Sequence, residues 1–183
     1  MKKLILIIIP ILMAILASCA KNTSKQTTIQ EPVISVQTKI LGVELGKTDI
    51  SDAVSIIVKN GWQYKLFQDG NETQLSVETP VNFGNIDWDC SDFLFLGHKM
   101  YMVMFSENNC KHNKEQENKR FQSIAKRIIL KYPKAIFNNK DKMIKYSDGT
   151  YSITLEIDKY GRGLILTYEI NESKINKIIG SEL

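Results

Sequence analysis

The chain has 183 residues, 43% hydrophobic and 24% charged, with a formal net charge of +4. That length leaves room for one compact domain, or two small units sharing a core, and excludes a long array of domains. The charge is uneven: residues 111–147 carry eleven Lys and Arg against Glu115, Glu117 and Asp141, whereas residues 19–110 sum to −4 and residues 148–183 to −2.

The N-terminus reads Met-Lys-Lys, then an apolar run from Leu4 to Leu16, then Ala17-Ser18-Cys19. A basic start, an apolar stretch and small residues at a cut site are the parts of a signal peptide, here residues 1–18. The run is shorter than the ~20 residues a membrane-spanning helix needs, and Pro10 would disturb a permanent span. The quartet Leu16-Ala17-Ser18-Cys19 resembles the bacterial lipobox. The resemblance implies that the Cys19 thiol receives a diacylglycerol, that the chain is cut before it, and that the new amine is acylated. Each buried methylene contributes about 0.8 kcal/mol, and two or three chains hold durably where one does not. The lipid is then the membrane anchor of a cell-envelope protein. Ala20 follows the cysteine where an inner-membrane retention signal would have Asp, so the resemblance implies an outer membrane. Loss of Lys2 and Lys3 leaves a mature charge of +2 on 165 residues. Residues 19–32 have no apolar pattern and read as a tether with a reach on the order of 20 Å.

A helix is predicted over residues 49–60. Thr48 is its expected cap, Ile50, Ala53, Val54, Ile57 and Val58 form an apolar stripe, and Gly61 supplies the left-handed stop. Trp62–Gln68 and Thr73–Thr79 read as strands around an Asp69-Gly70 turn. Asn82–Trp88, Asp92–Leu96 and Met100–Ser106 read as three further strands joined by tight turns. Cys90 then lies in the first of these turns and Cys110 just past the last strand, at one end of the meander. An oxidising compartment makes a Cys90–Cys110 disulfide the expected pairing, worth roughly 3 kcal/mol for a loop of that size. Two free thiols or half a metal site are the competing readings.

A second helix is predicted from Lys114 to Tyr132, ended by Pro133, with Phe121, Ile124, Ala125, Ile128 and Tyr132 as its buried stripe. Asp148-Gly149 turns Met143–Ser147 into Thr150–Asp158, where apolar and polar residues alternate and one face is wet. Leu164–Ile170 and a short helix from Glu172, stopped by Gly180, complete the chain. The predicted fold class is α+β, an antiparallel sheet with helices packed on one face. Each half sets a helix before an Asp-Gly hairpin, which is compatible with two tandem units, 33–110 and 111–183, that share one domain or form two.

Residues 41–48 (Leu-Gly-Val-Glu-Leu-Gly-Lys-Thr), the helix after them and the strand through Lys99-Met100-Tyr101-Met102-Val103 are similar to the SmpA/OmlA outer-membrane lipoproteins. They are similar also to the tandem fold of the β-lactamase inhibitor proteins. The likeness covers about residues 40–105 and implies envelope assembly or protein–protein inhibition, without catalysis. Asn60-Gly61-Trp62 replaces the Gly-Pro turn usual in that family.

The remaining motifs argue for binding. Gly46-Lys47-Thr48 lacks the glycine-rich loop of a phosphate site, with Leu41 where the first glycine belongs. Asp87, Asp89 and Asp92 around Cys90 lack the further oxygen ligands calcium wants and read as a solvated turn. His98 and His112 fall at turns, without a nucleophile or a zinc-ligand cluster. No catalytic residue, metal or cofactor is expected, and a hydrolase ranks last. Lys119 and Lys126, and Arg120 and Arg127, lie seven apart on the second helix and are expected to share its solvent face. A basic face attracts an anionic protein or glycolipid rather than nucleic acid in an envelope; a simple solubility surface is the other reading. Met100, Met102 and Met104 are expected on one face of their strand, as core or as a partner groove.

Overall fold

The computed structural model describes residues 33–107, 113–159 and 163–179. The fold is α+β, dominated by antiparallel sheet. A small hairpin, β1 (Lys39–Ile40) and β2 (Val43–Glu44), leads into α1 (Ile50–Lys59). Four strands of the main sheet follow: β3 (Tyr64–Asp69), β4 (Glu72–Val77), β7 (Cys90–Leu96) and β8 (Lys99–Ser106). A separate hairpin, β5 (Val81–Phe83) and β6 (Ile86–Trp88), interrupts them. The second half runs α2 (Lys114–Lys131), β9 (Ile136–Asn138), β10 (Met143–Ser147), β11 (Tyr151–Ile157), β12 (Leu164–Ile170) and α3 (Glu172–Ile179). Eight strands form one sheet in the order β3-β4-β7-β8-β12-β11-β10-β9. The predicted boundary between residues 110 and 111 thus separates two sets of strands that hydrogen-bond directly, through β8 and β12.

Register explains which side chains make the core. Tyr168 lies opposite Val103 and Ile153, and Leu166 opposite Phe105 and Leu155. Farther out, Phe93 faces Val103 and Leu75, while Ile144 faces Leu155. All these side chains are buried and, since strand side chains alternate, all project from one face of the sheet. The β7–β8 pairing slips between Leu94 and Phe95. This bulge turns Met100, fully buried, to the same face as Val103 and Phe105, leaving Met102 and Met104 half-buried on the other. The three methionines therefore do not share a face, because strict alternation fails where one residue is inserted.

The helices follow their sequence patterns with two differences. In α1, Ala53 and Ile57 are buried and Gly61 adopts φ 72°, but Asp49, not Thr48, holds the cap position. Thr48 instead accepts the Glu44 amide at 2.7 Å, tightening the turn before the helix. Val58 is exposed, and Ile56 takes its place against the core. In α2, the predicted stripe of Phe121, Ile124, Ala125, Ile128 and Tyr132 is buried throughout. Asn113 and Gln116 form a reciprocal capping box at its start. Tyr132 stacks on Tyr146 of β10 at 4.7 Å and Phe121 meets Phe137 of β9 at 6.1 Å.

The stretch read as one strand, 82–88, is broken by Gly84 and Asn85. Both have positive φ, 65° and 57°, the two-residue turn that matches the twist of a hairpin. Cys90 in consequence begins β7 and is not in a turn. The Asp-Gly turns also shift: Asp69 pairs with Glu72, so Gly70-Asn71 is the loop. Asp148 Oδ1 accepts the amides of Thr150 and Tyr151 and thereby organises a three-residue connection. On β11 the wet face is interrupted by Ser152, fully buried and donating to Glu169 at 2.7 Å. Gly180 lies outside the described residues.

At the centre of the core, Phe105 is fully buried and stacks on Phe83 of β5 at 4.6 Å. Phe105→Ala removes this ring from a packed site and should lower stability by about 3–5 kcal/mol. A urea unfolding curve checks it; a midpoint within error of the native chain would contradict this account of the core.

Candidate functional site

The β5–β6 hairpin stands outside the main sheet, and its position is set by aromatic contacts. Phe83 stacks on Phe105 and meets Tyr168 edge-on at 5.7 Å. Trp88, fully buried, lies 5.8 Å from Phe105 and donates its indole N–H to the Phe83 carbonyl at 3.2 Å. The hairpin is thereby held beside α2, and a groove of about 350 Å³ runs between them. Ile124 and Ile128 of α2 form one wall, Phe83 and Ile86 the other, and Ile153, Leu166 and Tyr168 of the sheet lie beneath.

The rim is basic. Arg127 reaches across and donates from Nη2 to the Gly84 carbonyl at 2.5 Å. Lys131 donates to Gln37 Oε1 at 3.1 Å, with its ammonium 5.3 Å from the Tyr132 ring centre. Both partners are neutral, and neither cation makes an ion pair among the described residues. Among the described residues no Asp or Glu lines the groove. Other basic residues do meet carboxylates: Lys47 with Glu44, Lys65 with Glu78, Lys99 with Asp49, and Lys145 with Glu169. Burial pushes the Tyr168 phenol far above the usual tyrosine range; Tyr132 adds to the shift, and the Arg127 charge opposes it. Tyr168 is therefore a neutral hydroxyl at any physiological pH.

The four basic residues singled out on α2 divide into two rows. Lys119 and Lys126 are exposed, and Lys119 pairs with Glu115 one turn away at 2.7 Å. Arg120, partly buried, and Arg127, exposed, lie instead on the flank that faces the hairpin, so the expected single face is two. Residues seven apart do align, but the two pairs are offset by one residue, about 100° around a 3.6-residue helix. Arg120 is committed structurally: it pairs with Glu107, whose side chain is 5% exposed. A second depression of about 350 Å³ on the far side of Arg127 includes Asp87, Arg120 and Ser123. Lys131, the other rim cation, was not distinguished by sequence from the remaining lysines of the 111–147 segment. A signal for the opposite wall was present in the Gly84-Asn85 dipeptide.

The other expectations separate. Asp87 lies on β6 and accepts from Asn82 at 2.6 Å, whereas Asp92 lies on β7, nearly buried, and accepts from Gln74 at 2.9 Å. Among the described residues there is no cluster of three or more His, Cys, Asp or Glu that could hold a metal. Burial raises the Cys90 thiol, with Asp92, Asp89 and Glu78 adding to the shift. A protonated thiol is a poor nucleophile. His98 is in the β7–β8 turn; Cys19, Cys110 and His112, and with them lipidation and the Cys90–Cys110 disulfide, lie outside the described residues. No described helix is long and apolar enough to cross a membrane.

No protein family matches the chain, and comparison with curated proteins and with solved structures finds no similar one.

The two rows should respond differently to truncation. Arg120→Ala leaves the Glu107 carboxylate buried without its cation and should cost about 2 kcal/mol; the full penalty of a lone buried charge is larger, but the Arg120 side chain is 37% exposed. Lys119→Ala removes only a surface pair and should cost less than about 0.5 kcal/mol. Urea unfolding of the two variants side by side measures the contrast, and equal costs would refute it.

Proposed function

We propose that this chain is a lipid-anchored lipoprotein of the cell envelope, sorted to an outer membrane, whose folded part is a non-catalytic binding or envelope-assembly module. In this reading residues 1–18 are removed, Cys19 carries the lipid, residues 19–32 are the tether, and a Cys90–Cys110 disulfide braces the end of the meander. The folded part comprises tandem units, 33–110 and 111–183, with their helices on one face of the sheet. The strand order supports that division: each half supplies a helix followed by four sheet strands, and the last strand of each meets the other at the centre.

The observation that carries the binding reading is the groove, which no Asp or Glu lines among the described residues, and whose rim cations Arg127 and Lys131 have only neutral partners among them. Charges left uncompensated beside an apolar surface favour an anionic partner, an acidic protein surface or an anionic glycolipid rather than nucleic acid. A second reading, an inhibitor-like lipoprotein that caps an enzyme, is favoured by the same strand order, because the resemblance to the β-lactamase inhibitor proteins implies a tandem arrangement of this kind.

Two experiments test the proposal. Expression in a bacterial host with labelled palmitate should mark the chain, and Cys19→Ser should abolish the label; a Cys19→Ser chain that is still labelled overturns the anchor. Cross-linking in an envelope extract should capture a partner through the groove. Arg127→Glu with Lys131→Glu should weaken that capture on the order of tenfold or more, most strongly at low salt where screening is least. The pair spares Arg120, whose reversal would disturb Glu107. Unchanged capture with unchanged salt dependence overturns the groove as the binding surface, and the partner's identity as an enzyme or an assembly protein separates the two readings.

A further inference from the structure

The chemistry of the groove limits what it can hold. Its walls and floor are largely hydrocarbon and aromatic: Phe83, Ile86, Ile124, Ile128, Ile153 and Leu166. At about 350 Å³ it lies at the small end of ligand cavities, which run roughly 300–1,000 Å³. The charged groups sit together at the rim, and both are donors. Arg127 has five N–H donors, of which Gly84 engages one; Lys131 has three, of which Gln37 engages one. Beneath them, Tyr168 of the floor adds a neutral hydroxyl. A sugar or nucleotide needs polar partners along its length, which these walls do not offer. A neutral lipid would gain nothing from the two exposed cations at the rim, whereas an anionic head pairs with both.

We propose that the groove binds one acyl chain of a single-chain lipid, with its carboxylate head on Arg127 and Lys131. The inference rests on the reading of the folded part as a binding module and names the chemical class of its ligand. The tail replaces water over the isoleucines and Phe83, and the head accepts the free Arg127 donors in a charge-assisted, bidentate pair. Arg127 spans the groove through its bond to Gly84, and its remaining N–H groups are the ones offered to the anion.

The test uses the full-length chain, expressed in a bacterial host and reconstituted in phosphatidylcholine vesicles, with a photoactivatable palmitic acid as probe. After irradiation, mass spectrometry should map the cross-links to residues 121–132 and 83–86. Arg127→Gln with Lys131→Gln should reduce labelling about tenfold, the loss expected for a charge-assisted contact. Lys119→Gln with Lys126→Gln removes the same charge from the same helix away from the groove and should label like the native chain. On the native chain, unlabelled palmitate should compete and hexadecanol, with the same tail and no charge, should not; this comparison holds even if a variant folds poorly. Cross-links spread over other surfaces, equal competition by hexadecanol, or equal loss in both double variants would each overturn the proposal. If labelling fails while Arg127→Glu with Lys131→Glu still weakens partner capture, the binding module stands and the acyl ligand is wrong. Failure of both removes the groove as a site.

Discussion

The stacking of Phe83 on Phe105 is the contact on which the arrangement of this molecule turns. Phe105 belongs to a central strand, whereas Phe83 belongs to a three-residue strand with no partner in the main sheet. A hairpin of three-residue strands has too few hydrogen bonds to stand alone in water. Its position is fixed by side chains: the stacked ring, the Tyr168 edge contact and the buried Trp88, whose indole closes back on the Phe83 carbonyl. These contacts hold the hairpin a groove's width from α2. Flush packing would instead have buried Ile86 against Ile124 and left no cavity.

Electrostatics then gives the groove its sign. The α2 segment carries most of the excess positive charge of the chain, but much of the helix is locally compensated or solvated. Lys119 has Glu115, and Arg120 has the buried Glu107. Arg127 and Lys131 lie one turn apart on the flank facing the hairpin, where the opposing backbone offers a carbonyl and the neighbouring loop an amide oxygen. A charge satisfied by neutral acceptors is stable enough to keep its place and still gains from an added anion. Position beside the hairpin, rather than total charge, separates these two residues from the lysines around them.

The sheet provides a rigid base for this. Pairing of β8 with β12 joins the last strands of the two halves, so the groove floor draws on Ile153, Leu166 and Tyr168 from the second half while its hairpin comes from the first. Neither half could form the groove alone. Close approach at the join is visible at Gly163, with φ 119°, where a Cβ would meet the Glu107 carbonyl oxygen at 2.7 Å. That crowding limits the residue before β12 to glycine.

Periodicity in the sequence was sufficient for what local physics controls. The 3.6-residue stripe of α2, the alternation of β11 outside Ser152 and the turn-bounded strands of the second half are each decided by a backbone whose side chains recur on one face. The α+β class followed from these. Tertiary contacts decided the rest. The inserted residue opposite Leu94 and Phe95 moved Met100 to the core, which alternation within β8 alone could not reveal. The Gly84-Asn85 turn was written in the sequence but competed with an apparently continuous strand, and only the stacking partner Phe105 favoured the hairpin. Spacing by seven aligned Lys119 with Lys126 and Arg120 with Arg127, since helix geometry is local. Which row meets solvent, and which arginine of the other row meets Glu107 or spans a groove, depends on what lies opposite, and residues 13 and 43 positions away in the chain supply it. The signal-like N-terminus and Cys19 are the converse case: their meaning is carried by a short local pattern that processing enzymes would read before any fold exists, so sequence alone motivates that assignment.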